Sequence, residues 1–582
     1  MRSTWNRLLR AVSGRRLPVW YHPDYRLPLG GLEGKLGLEP RRADHVAWYL
    51  LEVGAISAGD LQVPPRISHG DMARVHTAAW LQSLTTPEGF GAVFGVRPEE
   101  VRVDEGMNLV RLATGGTLAA AREALRSGGP TLNLQGGFHH AFPDRGGGLC
   151  AVNDLAIALA ALRHDGFDGQ VVVLDLDAHP PDGTAACLRL DPRAWVGSLS
   201  GSDWGPVPGA DETVLPAGTG DDAYLGALEA LLQRMPPPAL AFVIAGGDVL
   251  AGDRFGCLAL SLAGARRREL VVADALRAVP SVWLPGGGYS EQSWKVLAGV
   301  GLALALRSAE PIPDDLDPLD ERFREVAARL QPSDLGDDPL LNDEDLAEVF
   351  GFRPQSRRLL GYYTAEGLEL GLFEYGILEQ LTRLGYVQFR VDLDRAAVGE
   401  RFRLYGTARD PADPAEHLLV EAVLDRERLP DGGDAPWLYV HWLTLRDPRA
   451  HFTPDRPALP GQEVPGLGLA REATALLLRM SERLGLAGLA LRPAWVHVAY
   501  ASRSRFRFLD AGRQGRWEAL IRDLGHLPLR ALSEAVAQGR VSCDGAPYAW
   551  EADPMVASLA PLPDDAVAVA AARQRARFAL HG

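Results

Sequence analysis

The sequence predicts an α/β fold with a mostly parallel sheet covered by helices on both faces, followed by a smaller α+β domain. Three observations carry this. Short apolar runs alternate with helical patterns from about 130 to 310. Groups capable of chemistry fall just after those apolar runs, where open parallel sheets build their sites. Beyond 357, strand-like runs follow one another with a helix only after them.

The runs suited to buried strands are PTLNLQ (130–135), QVVVLDLD (170–177), AWVGSL (194–199), ALAFVIA (239–245) and PSVWLP (280–285). Each is short and bounded by turn-forming residues, as buried strands are. Helical patterns lie between or beyond them at 151–166, 221–235, 261–279 and 293–308. Residues 20–130 read as helical and irregular and are assigned to the same domain, 1–308. The stretch 309–356 is acidic and dotted with prolines, with one short amphipathic helix, and reads as a linker. In the second domain, 357–582, FRVDLD, RFRLYGTA, HLLVEAVLD and WLYVHWLTL are expected strands, and 469–485 a helix.

Composition narrows the function classes. The chain has 582 residues, 47% of them hydrophobic, and a formal net charge of −15. No long basic run is present, which argues against nucleic acid as the main partner. Four scattered cysteines, Cys150, Cys187, Cys257 and Cys543, give neither a disulfide framework nor a cysteine metal site. The opening MRSTWNRLLRAVSGRRLPVW is basic without a continuous apolar core, so no signal peptide is expected. No apolar run reaches the ~20 residues of a membrane span. A cytoplasmic protein in a reducing compartment is expected, and the Ala, Leu, Arg, Gly and Pro bias points to a bacterial source.

The strand ends deliver a constellation. GGFHHA (136–141), DLDAH (175–179), SLS (198–200), GGDVLAGD (246–253) and GGGY (286–289) each follow an apolar run. Asp177 and His179 stand two apart at a strand end, where a period of two puts side chains on the same side. Asp248 offers a third ligand from another strand end. An Asp–His–Asp set without cysteine suits Zn²⁺, or a harder ion such as Fe²⁺, with a position left for water. A metal there lowers the pKa of that water towards neutrality. His139 and His140 can hold and move protons, and Tyr289 can donate a hydrogen bond to an oxyanion. The sum is metal-assisted hydrolysis of a carbonyl compound, an amide first of all.

TGGT (114–117), GGFHHAFPDRGGGLC (136–150), DLDAH (175–179), AGGDVLAGDRFGCLALS (245–261) and GGGY (286–289), in that order, resemble the zinc-dependent histone deacetylases of the arginase–deacetylase superfamily. DRGGG, TGGT, AGGDVLAGDRFG, GLEGKL (31–36) and VHTAAWLQSL (75–84) are most similar to class IV; the likeness covers about 18–308. It implies a three-layer arginase–deacetylase fold and hydrolysis of Nε-acyl-lysine, acetyl or long-chain, or of acylated polyamines. It implies that Asp177, His179 and Asp248 hold the catalytic metal. It makes His139 and His140 the paired histidines, one a general base and the other an aid to the leaving amine. Asp175 stands behind the first and Asp182 behind the second. Tyr289 polarises the scissile carbonyl. Asp175, Asp177, Ser198 and the backbone of His179 and Leu199 match a structural monovalent-cation site, usually K⁺. Gly148 and Leu149 fall at the acyl-lysine tunnel.

Two positions depart from the family pattern. Pro180-Pro181 replaces the usual His-Gly, which stiffens the approach to Asp182. The stiffening either fixes a ligand pose or displaces Asp182 from His140. Leu149 stands where the family has a tunnel phenylalanine, which loosens aromatic contact with lysine methylenes. His22, His45, His69, His76 and His164 are read as surface or structural, and Cys150 and Cys257 as small packed groups. In the second domain, LPGQEVPGLGLAREATALLLRMSERLGL (459–485) faintly resembles the acyl-CoA loop and helix of GNAT-type acetyltransferases. The gap from Gln462 to Gly466 and Gly468 is one residue too long for that motif. A mixed α+β domain for partner binding or homo-oligomer formation is the alternative. His441, His497 and His526 there show no ligand spacing.

The sequence reading is therefore a metal-dependent lysine deacylase. An acylpolyamine hydrolase and a weakly catalytic acyl-lysine binder stand as the alternatives.

Overall fold

The computed structural model describes residues 4–581 apart from 8–9, 11–15, 27–38, 99–100, 311, 314–315, 337–357, 431 and 453–456. The chain divides into two compact units, Met1–Pro318 and Leu319–Gly582. GLEGKL (31–36) and most of the acidic stretch after 336 lie outside the described residues.

The first unit is built on eight strands: β1 (Val19–Trp20), β2 (Leu61–Gln62), β3 (Pro130–Asn133), β4 (Val171–Asp175), β5 (Ala194–Ser200), β6 (Ala210–Val214), β7 (Leu240–Ile244) and β8 (Ser281–Leu284). Their order is β2-β1-β3-β8-β7-β4-β5-β6, and every pairing is parallel. The central strands β4, β7 and β8 are buried at every position. That is why they read as unbroken apolar runs rather than alternating ones.

Alternation reappears in the two cores. Val172, Leu174, Ala241, Val243 and Trp283 pack on one face, with Leu228 and Leu231 of the helix Asp221–Arg234 and Leu297 and Val300 of Ser293–Leu306. Val171, Val173, Phe242, Ile244 and Val282 pack on the other, with Leu118 of the helix Val103–Ser127 and Leu155 of Asp154–His164. Three layers result, as the resemblance implied.

The outer strands β1, β2 and β6 were not among the expected ones. Two-residue strands show no periodicity, and β6 is the half-exposed edge sequence ADETV. TGGT lies in mid-helix within Val103–Ser127. Glycine there costs about 1 kcal/mol each against alanine. A Cβ on Gly115 would sit 1.8 Å from the Pro65 carbonyl oxygen, and one on Gly116 would sit 2.6 Å from the Tyr25 hydroxyl. The glycines are there because neighbouring backbone and side chain press against the helix.

The second unit carries β9 (Tyr386–Arg395), β10 (Glu400–Ala408), β11 (Glu416–Glu427), β12 (Trp437–Leu445), β13 (Gly488–Leu491), β14 (Arg507–Phe508), β15 (Val541–Cys543), β16 (Ala546–Pro547), β17 (Met555–Ser558) and β18 (Phe578–Leu580). Seven of them form a mixed sheet, β14-β17-β13-β12-β11-β10-β9, and β16-β15-β18 a small one. β9 to β12 run antiparallel to their neighbours, and β13 adds parallel to β12 after the helix Ala470–Arg483.

One boundary moves. The helix Pro318–Arg329, inside the expected linker, sends Leu319, Phe323 and Val326 into the second unit's core together with Leu330. Spacings of four, three and four place them on one helical face. The division therefore falls after Pro318 rather than 308. Among the described residues, no helix is long and apolar enough to cross a membrane.

Candidate active site

β4 ends at Asp175, so Asp177 and His179 lie on the loop beyond it rather than on the strand. The period-two argument does not apply, and a turn brings them together instead. The His179 backbone N–H donates to Asp177 Oδ1 at 3.0 Å, and His179 Nδ1 stands 3.1 Å from the same oxygen. Asp248, after β7, accepts from the Ala178 N–H at 3.0 Å and places its other oxygen 3.0 Å from His179 Nδ1. The Gly287 N–H donates to Asp177 Oδ2 at 2.6 Å. One donor atom from each of Asp177, His179 and Asp248 lies within 4.8 Å of the others.

Both carboxylates are fully buried. Burial opposes charge on Asp177, but His139 and His179 hold it well below the ordinary carboxylate range. Burial, then the Asp177 charge, pushes Asp248 up to about 7. Burial opposes a charge on His179 too, yet Asp177 and Asp248 raise it to about 11. Two carboxylates so close repel unless a proton or a cation lies between them. Two oxygens and one imidazole nitrogen are a donor set that fits a borderline divalent ion.

His139 and His140 stand side by side, ring centroids 4.0 Å apart. His139 Nδ1 is 2.8 Å from Asp175 Oδ2, and His140 Nδ1 is 2.8 Å from Asp182 Oδ1. Pro180-Pro181 therefore does not displace Asp182. Pro181 precedes the helix Asp182–Leu188, and Asp182 enters it as its first residue, aimed at His140. The two imidazoles differ electrically. Burial disfavours charge on His139, but Asp175 and then Asp177 raise it to about 9. Burial, then the neighbouring His139, lowers His140.

Tyr289 follows a glycine run with φ of +58° at Gly286 and +137° at Gly288, which a side chain would strain. The Arg42 guanidinium donates to the Gly287 and Gly286 carbonyls, 2.9 Å each, and Asp253 accepts from the Tyr289 N–H at 2.7 Å. The Tyr289 ring packs edge-on against Phe255 at 4.8 Å. Burial and then Asp177 and Asp248 push its phenol well above its ordinary range, so it keeps its proton. Tyr289 and His139 share a cavity of about 80 Å³ with Tyr25, Arg42, Leu134 and Leu149.

Gly148 has φ +52°, and a Cβ on it would lie 2.3 Å from His140 Cδ2. Leu149 follows at φ +65°. Trp204 lies over both imidazoles, 5.2 Å from the His140 ring and 5.7 Å from that of His179, yet is 56% exposed. Ser198 and Leu199 are buried on β5, and Ser198 faces Asp175 across the ladder. Ser198 Oγ is buried without a hydrogen-bond partner. It is an orphan oxygen where the resemblance implies a monovalent cation.

Four contributors escaped the sequence reading. Arg42 and Trp204 carry no motif spacing, and Asp253, though inside GGDVLAGD (246–253), was given no role. Arg268 sits in a run of three arginines, ARRRE, and its signal was only its place on an apolar helix face. It is fully buried and donates to the Leu176 and Gly246 carbonyls, 3.0 Å each, tying together the loops that hold Asp177 and Asp248.

His76 proves structural. Its Nδ1 is 3.0 Å from the Phe142 carbonyl, and its Nε2 accepts from the Asn153 N–H at 3.0 Å, bracketing the Gly148 loop. Burial lowers its pKa from 6.5 to about 4. Charging it is harder in the folded than in the unfolded chain. The stability it contributes is whole above 6.5 and is lost as pH falls from there towards 4, about 3 kcal/mol in all. Denaturant titrations at pH 7 and 4.5 are expected to show this loss. His76→Gln should lack that share of the pH dependence. An equal pH slope in both proteins would refute the assignment.

A parallel eight-stranded sheet between helical layers, with carboxylates and imidazoles gathered past β4 and β7, defines the arginase–deacetylase architecture. Residues 37–302 match the family model described as histone deacetylase domain. An uncharacterized protein of Picosynechococcus is 35% identical over 287 residues, 47% of this chain and 92% of that one. Histone deacetylase 2 of Arabidopsis thaliana is 29% identical over 301 residues, 49% of this chain and 77% of that one. The crystal structure of a histone deacetylase homolog from Aquifex aeolicus superposes with a TM-score of 0.44 at 22% identity, covering 53% of this chain and 88% of that one. This chain belongs to the histone deacetylase family and is a hydrolase of that family.

Proposed function

We propose that the first unit is a divalent-metal-dependent deacylase that removes a short acyl group, acetyl first of all, from Nε-acyl-lysine. The observation that carries this is the convergence of Asp177, His179 and Asp248 within 4.8 Å beside two imidazoles each backed by a carboxylate. Zn²⁺, or Fe²⁺, held by those three would supply Lewis acidity and lower the pKa of water. His140, kept uncharged, is the general base that takes a proton from the attacking water and later returns it to the leaving amine. His139, kept charged by Asp175, stabilises the negative charge that develops beside it. Tyr289 donates its phenol proton as a hydrogen bond to the developing oxyanion. Ser198 Oγ, Asp175, Asp177 and the His179 and Leu199 backbones suit a structural K⁺.

The short acyl chain follows from the cavity. A water takes about 10–15 Å³ by the same measure, so about 80 Å³ holds a few waters or a short chain. The His140–Asp182 contact at 2.8 Å favours a working site over a weakly catalytic binder.

The test measures metal per chain and hydrolysis of acetyl-, myristoyl-lysine peptides and acetylputrescine, with and without chelator. Acetyl-lysine turnover that disappears with the metal and returns on adding Zn²⁺ or Fe²⁺ is expected. Turnover of the long-chain peptide alone, or of acetylputrescine alone, would overturn the substrate reading. Trp204 adds to it an exposed aromatic face over the His140 and His179 rings. Trp204→Ala is expected to raise KM for acetyl-lysine peptide about tenfold, the value of one aromatic contact of about 1.4 kcal/mol. Trp204→Phe should recover most of it, and an unchanged KM in both would exclude the contact.

For the second unit, a GNAT-like fold remains our proposal. Supporting it are four antiparallel strands, then a glycine-containing loop, the helix Ala470–Arg483 and a strand added in parallel. We assign it no acyl transfer.

A further inference from the structure

We propose that the second unit carries its own divalent-cation site, formed by Asp425, Glu427 and His441. Asp425 and Glu427 stand two apart on β11, so their side chains leave the sheet on one face. They lie opposite Tyr439 and Trp437 of β12. The register between these strands then slips: Leu424 pairs with Val440 and Val423 with Trp442, which leaves His441 without a partner in the ladder. A bulge of this kind re-aims a side chain. Here it directs the imidazole to the two carboxylates, braced by the Tyr439 ring at 4.7 Å.

The spacing suits two ligands of one ion. His441 Nε2 lies 3.0 Å from Glu427 Oε1, yet this buried nitrogen makes no aligned hydrogen bond. Two ligands on one ion, with bonds of about 2.0–2.2 Å, stand roughly 3.0–3.5 Å apart. Donor atoms of all three side chains fall within 4.8 Å of one another. The first unit gathers the same donor types, Asp177, His179 and Asp248, within the same 4.8 Å. An imidazole with two carboxylates selects Zn²⁺, Co²⁺ or Ni²⁺ over Ca²⁺ and Mg²⁺. His441 is 20% exposed and Glu427 36%, which leaves room for water at the remaining positions.

The test uses the full chain carrying Asp177→Asn and Asp248→Asn, which removes the first unit's ligands, titrated with Co²⁺ and Zn²⁺. One ion per chain is expected, with visible Co²⁺ absorption bands. His441→Ala and, separately, the isosteric Glu427→Gln should each weaken binding at least tenfold and abolish the bands, with circular dichroism unchanged. No ion bound, or an ion indifferent to both substitutions, would overturn the site and leave a His441–Glu427 ion pair only. The readout is binding, so it stands or falls apart from the deacylase reading.

Discussion

Tyr289→Phe lowers kcat on acetyl-lysine peptide by about 10²–10³-fold, the cost of one oxyanion donor, while KM stays within about twofold. The substitution removes one oxygen and nothing else that holds the residue. Asp253 still accepts from the residue-289 N–H, and the ring still packs against Phe255. Arg42 still fixes the two glycine carbonyls before it. Metal content is expected to be unchanged, because the three converging donors Asp177, His179 and Asp248 all remain. Steady-state kinetics with metal analysis on the same preparation decide the point. A variant with near-native kcat would remove the oxyanion role.

Arg268→Met destabilises the first unit by about 3–5 kcal/mol, the usual penalty for stripping the partner from a buried charge. Glu269, 1% exposed, loses a guanidinium at 3.1 Å, and the Leu176 and Gly246 carbonyls lose their donor. Those carbonyls precede Asp177 and Asp248 by one and two residues, so metal affinity should fall with stability. Denaturant unfolding and metal retention are the measurements. Adding Glu269→Gln should return part of the stability, because the buried charge left with only Arg266, at 3.8 Å, is then gone, while metal affinity stays low. A single substitution costing less than about 1 kcal/mol would show that the two loops hold without this tie.

The sheet was largely legible because burial on both faces turned β4, β7 and β8 into unbroken apolar runs. The outer strands β1, β2 and β6 were not, because short or half-exposed edges bury too little to leave a pattern. The site was legible as residue types, since Asp177, His179, Asp248, His139, His140 and Tyr289 all follow apolar runs. How Asp177 and His179 meet was misjudged: a turn past the strand does it, not the pleat. Whether Asp182 reaches His140 across two prolines was open until the helix start fixed its direction. Pro318–Arg329 looked like a connector because its charges outnumber its apolar residues, and only packing shows that those few face one core.

By itself the sequence determined which segments are buried and which reactive groups end each of them, because both are written in local order along the chain. Only the tertiary structure decided which distant groups touch: Arg268 beneath two loops, Trp204 over two imidazoles, and His441 turned by a bulge onto Asp425 and Glu427. Such contacts depend on strand register and loop path. Those follow from the packing of the whole unit, which no stretch of sequence carries alone.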